Sequence, residues 1–433
     1  MGLSILTTLV LAIAVGLAGC RTAPRDGKVH FIVWSGWTGA EGKAFQGIVD
    51  RFNATHPKLH LENLGGVQDD TNTIRAITAG VPPDLFFLWT PPNLGPLVSN
   101  GAVLPLDDRF RRSGMSAEQF VPAAIAMGRV GNRLYSLPYL VDCSGLYWNR
   151  AAFREVGLDP DRPPETMEEL STAAARLTRR DARGNVLRLG LDPPDWNVVL
   201  QMFGGRLLDE RGAPTADDPR NLEAFRWYRD LVKGMGGISQ IDSFASGFGQ
   251  GQGPNHPFFV GKTSMMISGE WIPWWIERYA PKLDYGLTSL PPSGGRPEQR
   301  GANLVGGNPI CIPTESRHPD EAWEFIRWVQ TPEAQIAFAQ GLNNVPNVRS
   351  VLGSPILTQG SPRKQNYAKF LQFVDRPNAG SIPPSPVMNY YLAEMLNARD
   401  FVLHGHKTPE EALRDVQRKV LAELARSGPP RDS

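Results

Sequence analysis

The chain is poor in cysteine, with three in 433 residues. It has no C-x-x-C pair and no zinc-ligand spacing, which excludes a disulfide-stapled scaffold and the common zinc frameworks. It lacks a dominant charge: 45 lysines and arginines stand against 44 aspartates and glutamates, so no strong field draws it to nucleic acid or a membrane surface. Catalytic and nucleotide signatures are missing too. There is no nucleophile elbow, no H-E-x-x-H and no dinucleotide fingerprint, and Gly261-Lys262 lacks the upstream glycine of a phosphate loop because His256 stands there. The seven histidines are scattered apart from His404-Gly405-His406, which reads as surface. Neither a metal nor a cofactor is expected, and no internal repeat of fixed period is present.

Long apolar runs are absent beyond the first twenty residues. That run is too short, and too closely followed by polar sequence, for a permanent span, and reads as an export signal. Leu17-Ala18-Gly19-Cys20 resembles the lipobox of bacterial lipoproteins, which implies a lipidated Cys20 as the mature N-terminus. The match departs from the pattern in having no Lys or Arg before the apolar stretch. Residues 21–27 are then a polar linker that tethers the body outside the cytoplasm, on the membrane's outer side. Cys143 and Cys311 remain; nothing places them within bridging distance, and buried free thiols are the expectation.

What is abundant points to loops and flat aromatic surfaces: 44 glycines, 38 prolines and 11 tryptophans. The length favours two lobes over one core. Val29 to Ser35, Leu59 to Leu64 and Asp84 to Trp89 read as strands. Between them lie a helix with the stripe Phe45, Ile48, Val49, Phe52 and a short helix with Ile74 and Ile77 inward. This alternation predicts a parallel sheet whose following loops share one rim. Leu134 to Asn149 reads as a strand entering a different body. Further helices follow from the stripes Leu170, Ala173, Ala174, Leu177; Leu222, Phe225, Tyr228, Val232; Ala322, Phe325, Ile326, Val329; and Leu413, Val416, Val420, Leu424. Capping boxes are expected at Thr166/Glu169 and Thr408/Glu411. Trp196-Asn197, after Asp192-Pro193-Pro194, reads as a loop exposing an aromatic, and Ser243 to Pro257 as a mobile loop. Thr263 to Ile267 is a buried strand, after which Gly269 is expected to turn the backbone and lift Glu270-Trp271 out of it; Trp274 and Trp275 fall toward packing.

Six segments in this order resemble the carbohydrate-binding family of extracellular solute-binding proteins of bacterial ABC importers, which includes maltose- and glycerol-phosphate-binding proteins. They are VHFIVWSGWTGAEGKAFQGIVDRFNATHP, PPDLFFLW, LYSLPYLVDCSGLYWNR, GKTSMMISGEW, YGLTSLP and HPDEAWEFIRWVQTPEAQ. The resemblance covers nearly the whole mature chain. It implies an α/β fold of two lobes joined by hinge strands, with a ligand cleft between them. Carried over, the N-terminal lobe is residues 28–137 with 288–330, and the C-terminal lobe 144–284 with 332–427. Crossings fall at 138–143, at 285–291 and near Thr331.

The implied ligand is a sugar, whose ring needs flat aromatics for its C–H faces and polar side chains for its hydroxyls. Trp34, Trp37, Trp89, Trp196 and Trp271 offer the former; Glu41, Asp70, Asp142, Glu270, Asn303, Asn308 and Arg349 the latter, with Gly307 in a loop the family uses for contact. The implied partners are the importer's permease subunits, with the protein itself a monomer, and there is no catalytic residue. The competing readings are an exported carbohydrate-active enzyme, with Glu41 and Glu270 as a carboxylate pair, and a binder of a non-sugar solute such as a glycerophosphate ester.

Overall fold

The computed structural model describes residues 26–248 and 253–427. The expected signal segment with Cys20, most of the linker, part of the Gly-rich loop before Pro257 and the tail from 428 lie outside the described residues. Among the described residues no helix is long and apolar enough to cross a membrane.

Strand β1 (Val29–Trp34) buries Phe31 and Val33 beneath helix α1 (Gly39–Thr55), whose predicted stripe is buried in full. β2 (Leu59–Leu64) runs parallel to β1 from Val29↔Leu59 to Trp34↔Leu64. Helix α2 (Asp70–Thr78) departs from expectation: Ile74 is exposed and Ile77 half-buried, while Asp70 and Thr73 turn inward. The cause is local. Asp69 caps the helix through Thr71 N at 2.8 Å, and Asp70 is drawn inward to bind the loop after β3 (Leu85–Phe87), which lies parallel to β1. The stretch from Leu134 to Asn149 is not one strand but several, among them β4 (Ser136–Pro138), β5 (Leu140–Val141) and β6 (Ser144–Asn149). Each joins a different sheet.

In the second body, α3 (Met167–Leu177) buries its predicted stripe; Thr166 caps it, but the Glu169 carboxylate accepts from Glu165 N instead of closing the box. The exposed loop expected at Trp196 is instead helix α4 (Trp196–Met202), capped by Asp195, with Trp196 buried against Phe225 of α5 (Pro219–Gly234). Within Ser243 to Pro257 the chain continues a helix, Ile238–Ala245, and adds short helical turns. β7 (Met265–Gly269) leads to α6 (Ile272–Tyr279), and β8 (Tyr285–Thr288) follows. These strands flank β6 in the antiparallel order β7-β6-β8. β9 (Pro309–Cys311) returns to the first sheet, antiparallel to both β3 and β4, and completes the order β2-β1-β3-β9-β4.

Helix α7 (Pro319–Val329) buries its predicted stripe. The resemblance put the chain beyond Thr331 in the other lobe. Helix α8 (Pro332–Leu342), however, packs on α1, with Phe338 6.1 Å from Phe45. The next element, β10 (Val345–Pro346), pairs antiparallel with β5. α9 (Met388–Leu403) and α10 (Pro409–Ser427) close the second core with α3, α4 and α5. Thr408 and Glu411 form the full capping box, and Leu413, Val416 and Val420 are buried.

Candidate functional site

The stretch from Pro138 to Cys143 is fixed by buried amides from the elements around it. Gln330 Nε2 and Asn347 Nδ2 donate to the Pro138 carbonyl at 3.0 and 2.9 Å, and Gln335 Nε2 to the Tyr139 carbonyl at 2.5 Å. Asp142 and Gly306 exchange backbone hydrogen bonds at 3.2 and 3.0 Å. Gly307 beside them, at φ +146°, leaves no room for a side chain, because a Cβ would stand 2.8 Å from the Leu140 carbonyl oxygen. Backbone held on both sides in this way gives the crossing side chains fixed directions.

Asp142 and Glu270 meet here. Glu270 follows β7 directly and is 2% exposed. The Asn344 amide, at the end of α8, donates to Asp142 Oδ1 and also to Glu270 Oε1 at 3.0 Å, and Cys143 N donates to Glu270 Oε2 at 3.2 Å. Tyr367 locks the far side of Asn344 by donating to its carbonyl at 2.5 Å. Burial pushes the Glu270 carboxyl well above the usual carboxylate range, and the Asp142 charge and its hydrogen bond add to the rise. Burial also raises Asp142, against the pull of its hydrogen bonds with Glu270 and Asn344. Two close carboxyls cannot both ionise cheaply, so the charge on either one opposes ionisation of the other.

This arrangement carries a pH dependence. A carboxyl whose folded pKa is raised contributes stability that is present below its unfolded value, near 4.3 for glutamate, and lost as pH rises through the folded value. Each unit of upward shift amounts to ~1.4 kcal/mol. The melting temperature is therefore expected to fall as pH rises above the ordinary glutamate range, and Glu270→Gln to flatten that fall; melts across pH for both proteins check it.

Around the pair, burial of the Tyr139 phenol raises its pKa well above the usual value, and the charges of Asp142, Glu41 and Glu270 raise it further. Glu41, in the first turn of α1, is exposed; partial desolvation raises its carboxyl. The Trp37 ring packs edge-on to Tyr139 at 5.1 Å and to Trp89 at 5.3 Å. Trp37 is 6% exposed, whereas Trp89 is half-buried, so Trp89 is the outer indole of this wall. Gly36 allows it, since a Cβ there would come within 2.3 Å of the Trp89 ring. Trp271 is half-buried and its ring lies over Gly269, where a Cβ would be 2.1 Å away. Gly269 thus stands where it does for close approach of the indole, not for a turn in the backbone.

The remaining candidates take other places. Asp70 is buried and accepts from Trp89 N at 2.9 Å, Thr90 N at 2.8 Å and Asn93 Nδ2 at 2.8 Å. It positions the loop that carries Trp89, and Asn93 in turn accepts from the Asn389 amide of α9, in the second body. Asn303 is fully buried and braces Ser144 from both sides, accepting from its N at 2.9 Å and donating to its O at 2.6 Å. Trp34 packs on the opposite face of the first sheet with Phe86 and Leu88, and Trp196 lies in the second core. Asn308 is half-buried, its amide 3.4 Å from the Leu88 carbonyl. Arg349 pairs with Asp375 at 2.8 Å. Trp274 carries the Arg278 guanidinium 5.6 Å above its ring. Cys143 and Cys311 are buried free thiols.

Asn344 and Tyr139 escaped the sequence reading. The signal for the first was the Asn343-Asn344 pair: Asn343 takes the left-handed conformation at φ 61° that ends α8 and so directs Asn344 into the crossing.

The descriptive model of the bacterial extracellular solute-binding protein family matches residues 36–336, more than half of the sequence. The chain belongs to that family. It is a solute-binding protein of ABC transporters, and its α/β fold is the two-lobed one of the sugar-binding proteins. The binding protein superposes on the structure of CpMnBP1 with mannobiose bound at TM-score 0.76 and 29% identity, over 91% of this chain and 100% of that one. The sugar-binding protein MalE of Xanthomonas citri shares the fold at TM-score 0.76 and 20% identity, over 92% and 98% of the two chains. A probable amino-acid ABC transporter periplasmic-binding protein of Sinorhizobium fredii is 26% identical over 305 residues, which is 70% of this chain and 67% of that protein.

Proposed function

We propose that the binding protein captures a neutral sugar, a disaccharide or short oligosaccharide, at the junction of its lobes and delivers it to a membrane permease. The observation that carries this reading is the hydrogen-bonded trio of Asp142, Asn344 and Glu270, followed directly in the chain by the half-buried indole of Trp271, with the half-buried Trp89 on the Trp37–Tyr139 wall. Hydroxyls fit the acceptors, and C–H faces fit the rings. The mannobiose held by a relative 29% identical supports the same class. A phosphate ester would bring negative charge against these carboxyls, which disfavours the glycerophosphate alternative.

Glu41 comes from the first lobe, Trp271 from the second, and Asp142 and Asn344 from the crossing strands. A ligand touching all of them binds the closed arrangement better than an open one, and that difference in affinity drives closure. In this reading the lobes divide where the first sheet and the second antiparallel sheet part, with α8 in the first lobe. The carboxyls serve binding and not hydrolysis, because Glu270 is engaged by Cys143 N and Asn344 and does not stand free beside a scissile bond. The chain acts as a monomer, held outside the cytoplasm through a lipid on Cys20.

Tryptophan fluorescence and thermal shift against a panel of mannobiose, maltose, glycerol 3-phosphate and amino acids test the reading. Micromolar response to a neutral sugar is the expected result. Silence for every sugar together with response to the phosphate ester or an amino acid overturns it.

A further inference from the structure

A second cluster of ligating side chains lies far from the junction, on the edge of the first sheet. His30 of β1 and His60 of β2 are direct partners in the parallel register, so their side chains leave the same face, and Glu62 follows two residues later on that face. The imidazole centroids are 4.7 Å apart, and one ligand atom from each of His30, His60 and Glu62 lies within 4.8 Å of the others.

The His30 ring is oriented by a third group. Its Nε2 faces both carboxylate oxygens of Asp26, at 3.0 and 3.1 Å; a proton held on Nε2 by that carboxylate leaves the Nδ1 lone pair as the ligand. That Nδ1 is buried without a hydrogen-bond partner and faces Glu62 Oε1 at 3.6 Å. A lone pair turned toward a carboxylate is repelled unless a cation, a proton or a metal ion, stands between them. The separation is close to the edge of a tetrahedral site, about 3.3 Å for nitrogen and oxygen ligands at ~2.0–2.1 Å from a metal. A carboxylate on the outer nitrogen of a metal-facing histidine is the usual means of fixing ring orientation and raising ligand basicity.

We infer that His30 Nδ1, His60 and Glu62 form a site for a divalent first-row transition cation, with Asp26 as the positioning residue for His30. Two imidazoles and one carboxylate suit Zn²⁺, Cu²⁺ or Ni²⁺ better than Mg²⁺ or Ca²⁺, which prefer all-oxygen shells. A cation here ties the edge strand β2 to β1 at the point where the described chain enters the fold. This replaces the expectation of no metal. The cluster was invisible to motif spacing because it is made by strand register across about thirty residues.

Zn²⁺ is the probe. The full chain without a histidine tag, stripped with EDTA, is titrated calorimetrically, and its melting temperature is followed with Zn²⁺ and after EDTA is returned. The expected result is one equivalent of Zn²⁺ bound and a rise in melting temperature of ~2 °C or more that EDTA reverses. His60→Ala and Glu62→Gln should each weaken binding at least tenfold, and Asp26→Asn by ~10–100-fold, while His404→Ala/His406→Ala leaves it unchanged. X-ray absorption of the loaded protein should count two imidazoles. No stoichiometric uptake, uptake that survives both His60→Ala and Glu62→Gln, or uptake lost with His404 and His406 overturns the inference.

Discussion

Asp142→Ala is expected to weaken sugar binding by ~100-fold while leaving the melting temperature at neutral pH unchanged or slightly raised. The affinity loss follows from removing an ionised acceptor aimed by its neighbours, since a hydrogen bond to a charged group contributes ~1.5–3 kcal/mol and 1.4 kcal/mol is tenfold. Stability moves less than affinity because the change removes the charge that opposes ionisation of Glu270, while the Asn344 amide keeps Glu270 Oε1 as an acceptor. Asp142→Asn, which keeps an acceptor oxygen but not the charge, should recover part of the affinity. Calorimetric titration and melts on the same samples check both. A loss of melting temperature without a loss of affinity would make Asp142 a brace of the crossing and no more.

Trp37→Ala should do the opposite and act first on stability. The indole is 6% exposed and its ring lies within 4.8 Å of Phe45, 4.7 Å of Phe87, 5.3 Å of Trp89 and 5.1 Å of Tyr139. Truncating a buried aromatic of this kind costs about 3–5 kcal/mol through lost transfer energy and the cavity left behind. The melting temperature should fall by roughly 10 °C, read by calorimetry in the absence of ligand. An unchanged melting temperature would contradict its role as the inner support of the Trp89 ring and return it to the list of direct contacts.

The contrast between these two residues shows what the sequence could carry. Apolar stripes such as Phe45, Ile48, Val49, Phe52 and the alternation of β1 are local periodicities, and they name both the element and its buried face. Caps are local as well, and Thr408/Glu411 formed as read. Which tryptophan faces outward is not local. Trp37 and Trp89 stand near the same rim, and the packing of Phe45, Phe87 and Tyr139 around Trp37 makes it the inner one.

Trp196 departs from its expected loop for a different reason. Asp195 after two prolines looks like a loop, yet its carboxylate accepts from Asn197 N at 2.7 Å and starts a helix that carries the indole inward. The Asp69-Asp70 pair likewise splits, one carboxylate capping α2 and the other holding the loop of Trp89. Glu270, expected to lift out of its strand, is buried and accepts from the Asn344 amide that also binds Asp142.

The most direct measurement is a crystal structure of the binding protein with the sugar that gives the strongest response in the panel. The account predicts closed lobes with sugar hydroxyls within hydrogen-bond distance of Asp142 and Asn344 and a ring face against Trp89 or Trp271. A sugar seated elsewhere, with Asp142 and Asn344 bonded only to each other and to Glu270, would contradict it.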